Sequence, residues 1–138
     1  MKWIAIMLAA VPSVAHAADQ FDLVCVGTQE MTNLSTLSID KSEDRRTYRV
    51  DLKARKYCEA ECGYIRDIHS FADDHITFIE KNAEGNPLLE KSLEQVNRED
   101  GSYYVGYFPR RGELGMLVSK GTCEPKPFSG FPKVDQKF

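Results

Sequence analysis

Tyr48-Arg-Val-Asp-Leu-Lys-Ala-Arg-Lys-Tyr-Cys-Glu-Ala-Glu-Cys62 is the stretch on which the fold turns. Its first half alternates with a period of two. Tyr48, Val50 and Leu52 fall on one side, and Arg49, Asp51 and Lys53 on the other. That is the pattern of a strand with one dry and one wet face. Its second half closes into a tight Cys58-x-x-x-Cys62 loop.

Segments of the same kind flank it. Phe21 to Val26 reads as a first strand ended by Gly27-Thr28, and a Ser/Thr-rich segment from Met31 to Ile39 fits strand or irregular structure equally. Lys41 to Arg46 is charged, mixed in sign, and reads as a turn leading into a strand from Thr47 to Lys53. Further on, Ile65 to Phe71 and Ile76 to Glu80 form a hairpin around Ala72-Asp-Asp-His75. A turn at Asn82 to Pro87 precedes a strand from Ser92 to Arg98, where Leu89, Leu93 and Val96 would also suit a short helix. The turn Glu99 to Ser102, the strand Tyr103 to Phe108, the turn Pro109 to Gly112 and a last strand from Glu113 to Ser119 follow.

About seven or eight short strands with turns every 8–12 residues predict an all-β fold. Short sequential connections favour a small antiparallel β-barrel or strongly curved meander over a Greek key. Residues 124–138 form a tail with prolines at 125, 127 and 132, which excludes an interior strand. Phe128 and Phe131 are expected to pack back over an end or edge of the sheet.

The N-terminus predicts export. Lys2 precedes an apolar run, Trp3 to Val11, that is too short to span a bilayer. Pro12 breaks it, and Ala15-His16-Ala17 supplies the small-x-small pattern of a signal-peptidase site. Residues 1–17 are therefore expected to be a signal peptide cleaved after Ala17. A lipid anchor at Cys25 is disfavoured, because Val24 is not the small residue such a site needs. Removing 17 of the 138 residues leaves 121, a single domain at 18–138, and removing Lys2 takes the formal charge from −3 to −4. The product is expected in the periplasm or secreted, monomeric, without membrane insertion or nucleic-acid binding.

The four cysteines, Cys25, Cys58, Cys62 and Cys123, are even in number and permit three disulfide pairings. Cys25–Cys123 with Cys58–Cys62 is favoured, because the long bridge would tie the first strand to the last.

Cys58, Cys62, His69 and His75 superficially offer a zinc set, but the spacing is wrong and an oxidising compartment competes for the thiols. Asp67, His69, Ser70, Asp73, Asp74 and His75 contain no recognisable nucleophile elbow. Asp73-Asp74 and Asn82 to Asn86 lack the alternating spacing of a calcium loop. Lys41, Arg45, Arg46, Arg49, Lys53, Arg55 and Lys56 form a basic run cut by Asp44 and Asp51, better read as a solvated strand face. Tyr48, Phe71, Phe78, Tyr103 and Tyr107 would line an interior cavity or fill a core. No catalytic residue, metal or cofactor is expected.

Phe21-Asp-Leu-Val-Cys25-x-Gly27, Tyr48-Arg-Val-Asp-Leu52 before Cys58, Val96-Asn-Arg-x-x-Gly101-x-Tyr103, and Gly121-Thr-Cys123 with Pro127 to Pro132 resemble an uncharacterised group of small exported proteobacterial proteins. The resemblance covers most of the chain beyond residue 17 and implies no particular activity. In size, compartment and architecture the chain is also similar to small periplasmic lysozyme inhibitors. The expectation is a non-catalytic protein- or envelope-binding module, which includes hydrolase inhibition. The alternative is a small-molecule carrier with an interior pocket.

Overall fold

A computed structural model describes residues 18–81, 91–108 and 115–133. Within them the chain forms nine antiparallel strands: β1 (Gln20–Asn33), β2 (Ile39–Asp51), β3 (Lys56–Glu59), β4 (Arg66–Asp67), β5 (Ser70–Phe71), β6 (His75–Lys81), β7 (Lys91–Asn97), β8 (Ser102–Phe108) and β9 (Gly115–Pro127). They make one sheet in the order β4-β3-β2-β1-β9-β8-β7-β6-β5. Every strand pairs with its sequence neighbour except β4 with β5, and β9 returns to pair with β1. The result is an up-and-down meander curled into a half-barrel, with its seam between β4 and β5.

The disulfides pair as favoured, Cys25 with Cys123 and Cys58 with Cys62. Cys25 and Cys123 stand directly opposite each other on β1 and β9, with Cα atoms 3.9 Å apart. The bridge thus staples the first strand to the last, and such bonds belong to an oxidising environment. No helix of the described residues is long and apolar enough to cross a membrane. The leader at residues 1–17 and the turns at 82–87 and 109–112 lie outside the described residues.

The alternation at Tyr48–Leu52 holds: Tyr48, Val50 and Leu52 are all buried. They join Leu23, Cys25, Tyr57, Ile76, Phe78, Val96 and Tyr103 in the core. Asp51, placed on the wet face, accepts hydrogen bonds from Ala54 N and Gln20 Nε2 and so builds the turn out of β2.

Four local expectations are corrected. Gly27-Thr28 does not end the first strand, since β1 runs on to Asn33 and pairs on both sides there. Residues 41–46 are not a turn but strand, because β2 runs unbroken from Ile39 and pairs with β1 along its whole length. The strand expected from Ile65 to Phe71 is split into β4 and β5, with Ile68 buried between them and its N–H donated to Arg55 O. The tail does not leave the sheet at residue 124, since β9 continues to Pro127.

Residue parity explains how β9 tolerates its prolines. Cys123 N donates to Gly101 O, on the β8 side. Residues 125 and 127 share that parity, so their missing N–H groups would also have faced the β8 side. There β8 has already ended, its last pair being Ser102 with Thr122. The prolines therefore sit where the strand is an edge. Beyond them the tail turns back on the outer face: Ser129 bonds Asp22, Arg49 Nη1 donates to Gly130 O, and Phe128 meets Phe131 edge to face.

Candidate functional site

The inner face of β2 changes chemistry along its length. Val50 and Tyr48 are followed, at the same period of two, by Arg46 and Asp44. Asp44 is 8% exposed, and its Oδ2 accepts from Arg46 Nε at 2.8 Å and from Tyr103 Oη at 2.9 Å. Arg46 Nη1 reaches Glu59 Oε1 on β3 at 3.3 Å. Across the barrel, Tyr48 Oη donates to Glu94 Oε1 on β7 at 2.5 Å, and Glu94 is 6% exposed.

Glycines make room for this layer. Gly27 and Gly121 face each other on β1 and β9. A Cβ at Gly121 would lie 2.1 Å from Val26 O and 2.6 Å from Cε1 of Tyr103. The bare backbone therefore lets the Tyr103 ring lie flat over the β1–β9 pair and reach Asp44.

The electrostatics follow from burial and pairing. Burial pushes the Glu94 carboxyl up, and the Tyr48 hydrogen bond opposes it. Burial also acts to raise Asp44, but the hydrogen bonds from Arg46 and Tyr103 overcome it and hold the carboxyl below its usual range. Burial and the Asp44 carboxylate push the Tyr103 phenol up to about 12. Tyr48 is raised by burial and by Glu94, so it stays a neutral donor across ordinary pH. Such a layer aligns strands and holds fixed charge inside the barrel.

The candidates singled out in the sequence do not come together around it. The groups acting on Glu94 are Tyr48, Glu59, Arg46 and Arg66. His69 Nε2 lies 3.6 Å from Glu80 Oε2 and His75 Nδ1 lies 2.6 Å from Asp74 Oδ1, both pairs being substantially exposed. Asp67 takes Lys56 Nζ at 2.5 Å. Cys58 and Cys62 are bonded to each other, so neither offers a thiolate. Among the described residues no three of His, Cys, Asp and Glu converge as a metal set. Of the calcium candidates, residues 82–86 lie outside the described residues.

The basic run disperses. Arg46 points inward, Arg55 lies over the Phe71 ring, Arg49 holds the tail, and Lys41 and Lys56 pair with Glu30 and Asp67. The aromatic set fills the centre of the barrel. Tyr48 stacks on Phe78 with ring centroids 4.6 Å apart, and Tyr57 closes on Phe78 at the same distance. Tyr57, Glu59, Arg66 and Glu94 were not singled out in the sequence, and Asp44 was read only as a charge cutting the basic run. Extending the alternation of β2 backward from Val50 would have found Asp44.

A second feature lies at the turn between β1 and β2. β1 and β2 continue to a tip at residues 34–38, where Asn33 organises the turn. Its Oδ1 accepts from Ser35 N, Ser35 Oγ and Thr36 N, its backbone O accepts from Leu37 N, and its N–H donates to Ser38 O. On this scaffold Leu37 has φ of 59° and is 76% exposed, with Leu34, Ile39 and Met31 also exposed. The Cys58–Cys62 loop points toward the same end of the strands, with Tyr64 beside it 79% exposed.

No family model matches this chain, and neither a curated protein nor a solved structure matches it significantly. The fold and the two features above therefore carry the functional reading.

Proposed function

We propose that this chain is an exported, non-catalytic protein-binding module that engages an envelope or extracellular partner through the β1–β2 tip. The observation that carries the reading is Leu37. A branched side chain in the left-handed region costs about 1–2 kcal/mol, and here it gains no burial in return. Strain held by an over-determined turn, with an apolar side chain presented to solvent, is characteristic of a contact kept ready for a partner. Leu34, Met31 and Ile39 are exposed at the same end of the hairpin and add apolar surface around it. A rigid, apolar-tipped hairpin has the shape to plug an enzyme cleft, so a hydrolase is the first partner class to assay.

The test is capture from envelope extract by the exported protein and by Leu37→Asn, which keeps the left-handed backbone and removes the apolar contact. The variant should retain its thermal midpoint and lose the captured partner. Equal capture by both proteins would sink the proposal.

A further inference from the structure

At the end of the barrel opposite the tip, the structure leaves a hollow of about 250 Å³. Strand stagger makes it. β1 and β9 run past the end of β8, so Phe21, Leu23 and Pro125 on their inner face look across to Ile76 and Val96 with nothing packed between. Pro125 also removes the N–H that any other residue would leave unpaired at this edge. The wall is consequently almost free of polar groups.

The exception is Arg98, which lines the hollow just after β7. One guanidinium nitrogen, Nη1, donates to Ala72 O at 2.9 Å. Among the described residues Arg98 forms no ion pair, whereas Arg46, Lys41, Lys56 and Lys126 each have a carboxylate partner. Asn97, also lining, is occupied in accepting Glu99 N and Asp100 N through Oδ1. An apolar hollow with a guanidinium at its mouth is complementary to an apolar chain ending in an anion.

We infer that this hollow binds a free medium-chain straight carboxylate, its hydrocarbon between Leu23, Ile76 and Val96 and its carboxylate on Arg98. The length follows from volume. Taking each chain carbon as the size of a water, about 30 Å³, the hollow of about 250 Å³ takes about eight. A membrane phospholipid's acyl chain is longer than that, so a free, shorter carboxylate is the better match. Removal of the leader after Ala17, as the sequence implies, would add the α-ammonium of Ala18, another lining residue, to the same mouth.

The experiment is a titration of the oxidised, exported protein with decanoate, decan-1-ol and butyrate, followed by two-dimensional NMR. Decanoate should give saturable shifts at Leu23, Ile76 and Val96, and butyrate none. Arg98→Gln, a change at a half-buried surface position, should weaken decanoate about tenfold and leave decan-1-ol unchanged. Val96→Phe, scored only if its spectrum remains folded, should abolish both. Absence of saturable shifts at those three residues overturns the inference, as does equal decanoate affinity in Arg98→Gln. Co-sedimentation with phosphatidylglycerol vesicles in place of decanoate binding would overturn the choice of a free carboxylate.

Discussion

Tyr48→Phe isolates the buried charged layer from everything else. The Tyr48 side chain is 1% exposed and its ring stacks on Phe78, so the substitution removes one hydroxyl, opens no ring-sized cavity and leaves the stacking intact. What it takes away is the donor to Glu94 Oε1. A hydrogen bond to a charged group is worth about 1.5–3 kcal/mol net, and the near-complete burial of Glu94 leaves little water to replace it. We expect a loss of about 2 kcal/mol at pH 7, which for a domain of this size is a fall of about 8 °C in Tm.

The pH dependence adds a sharper criterion. Burial raises the folded Glu94 above the ordinary glutamate value of 4.5, so the protonated form is the one the fold favours. The associated stability is present below the unfolded value and lost as pH rises through the folded one. Deleting the Tyr48 hydroxyl removes the hydrogen bond that opposes this shift and raises the folded value further. The cost of Tyr48→Phe should therefore shrink as pH falls from 7 toward 4.5. Urea unfolding followed by circular dichroism at both pH values, with Glu94→Gln and the double variant, closes a thermodynamic cycle. A cost independent of pH, or equal in the Glu94→Gln background, would show that Glu94 is not the group Tyr48 serves.

The remaining expectations concern the frame of the barrel. Gly121→Ala should cost about 3 kcal/mol or more, because its Cβ meets backbone atoms that cannot swing aside. Gly115→Ala on the same strand meets nothing within 4 Å and should be near neutral in the same thermal melt. Replacing Cys25 and Cys123 by Ser, which frees a sequence separation of 98, should cost about 4–5 kcal/mol in chemical denaturation, and the Cys58–Cys62 pair, separated by 4, only about 2. Asp44→Asn should cost about 3 kcal/mol at pH 7, since it removes a buried carboxylate that Arg46 and Tyr103 both bond. Asp44 is held below 3.8, so its contribution is present above that value and lost as pH falls through the folded one, and the difference between Asp44→Asn and the parent should narrow in acid unfolding. Trp3 is the chain's one tryptophan, so exported material cleaved after Ala17 should emit as tyrosine alone, while tryptophan emission would mean a retained leader.

Much of the frame was legible because it rests on short-range rules. Turn residues mark the hairpins, and the period of two at Tyr48–Leu52 assigns the buried face of β2 whatever lies opposite. The misreadings share a cause. Lys41 to Arg46 looks like a solvated turn because charge is the strongest local sign of exposure. Asp44 and Arg46 are nevertheless inward, each answered by a group distant in sequence, Tyr103 on β8 and Glu59 on β3. Glu94 was invisible for the same reason, since its donor Tyr48 lies 46 residues away. The prolines of the tail misled in the other direction. They do exclude an interior strand, but β9 becomes an edge beyond Thr122 only because β8 ends at Ser102, and no property of residues 124–127 records that.

The sequence by itself determined the strand class and the short sequential connections, and it favoured, among three possible pairings, the tie between the first and last cysteines. Each of these depends on residues adjacent in the chain or on a covalent possibility. The tertiary structure alone decided where the meander stays open, which charges are buried, and where the apolar surface is left over. The tip at Leu37 and the hollow behind Arg98 arise from strand lengths that do not match: β2 outruns β3 at one end, and β1 and β9 run past β8 at the other. Stagger is a property of the whole sheet, set by how all its ladders register against one another, and side chains acquire their roles from it only after the sheet has closed.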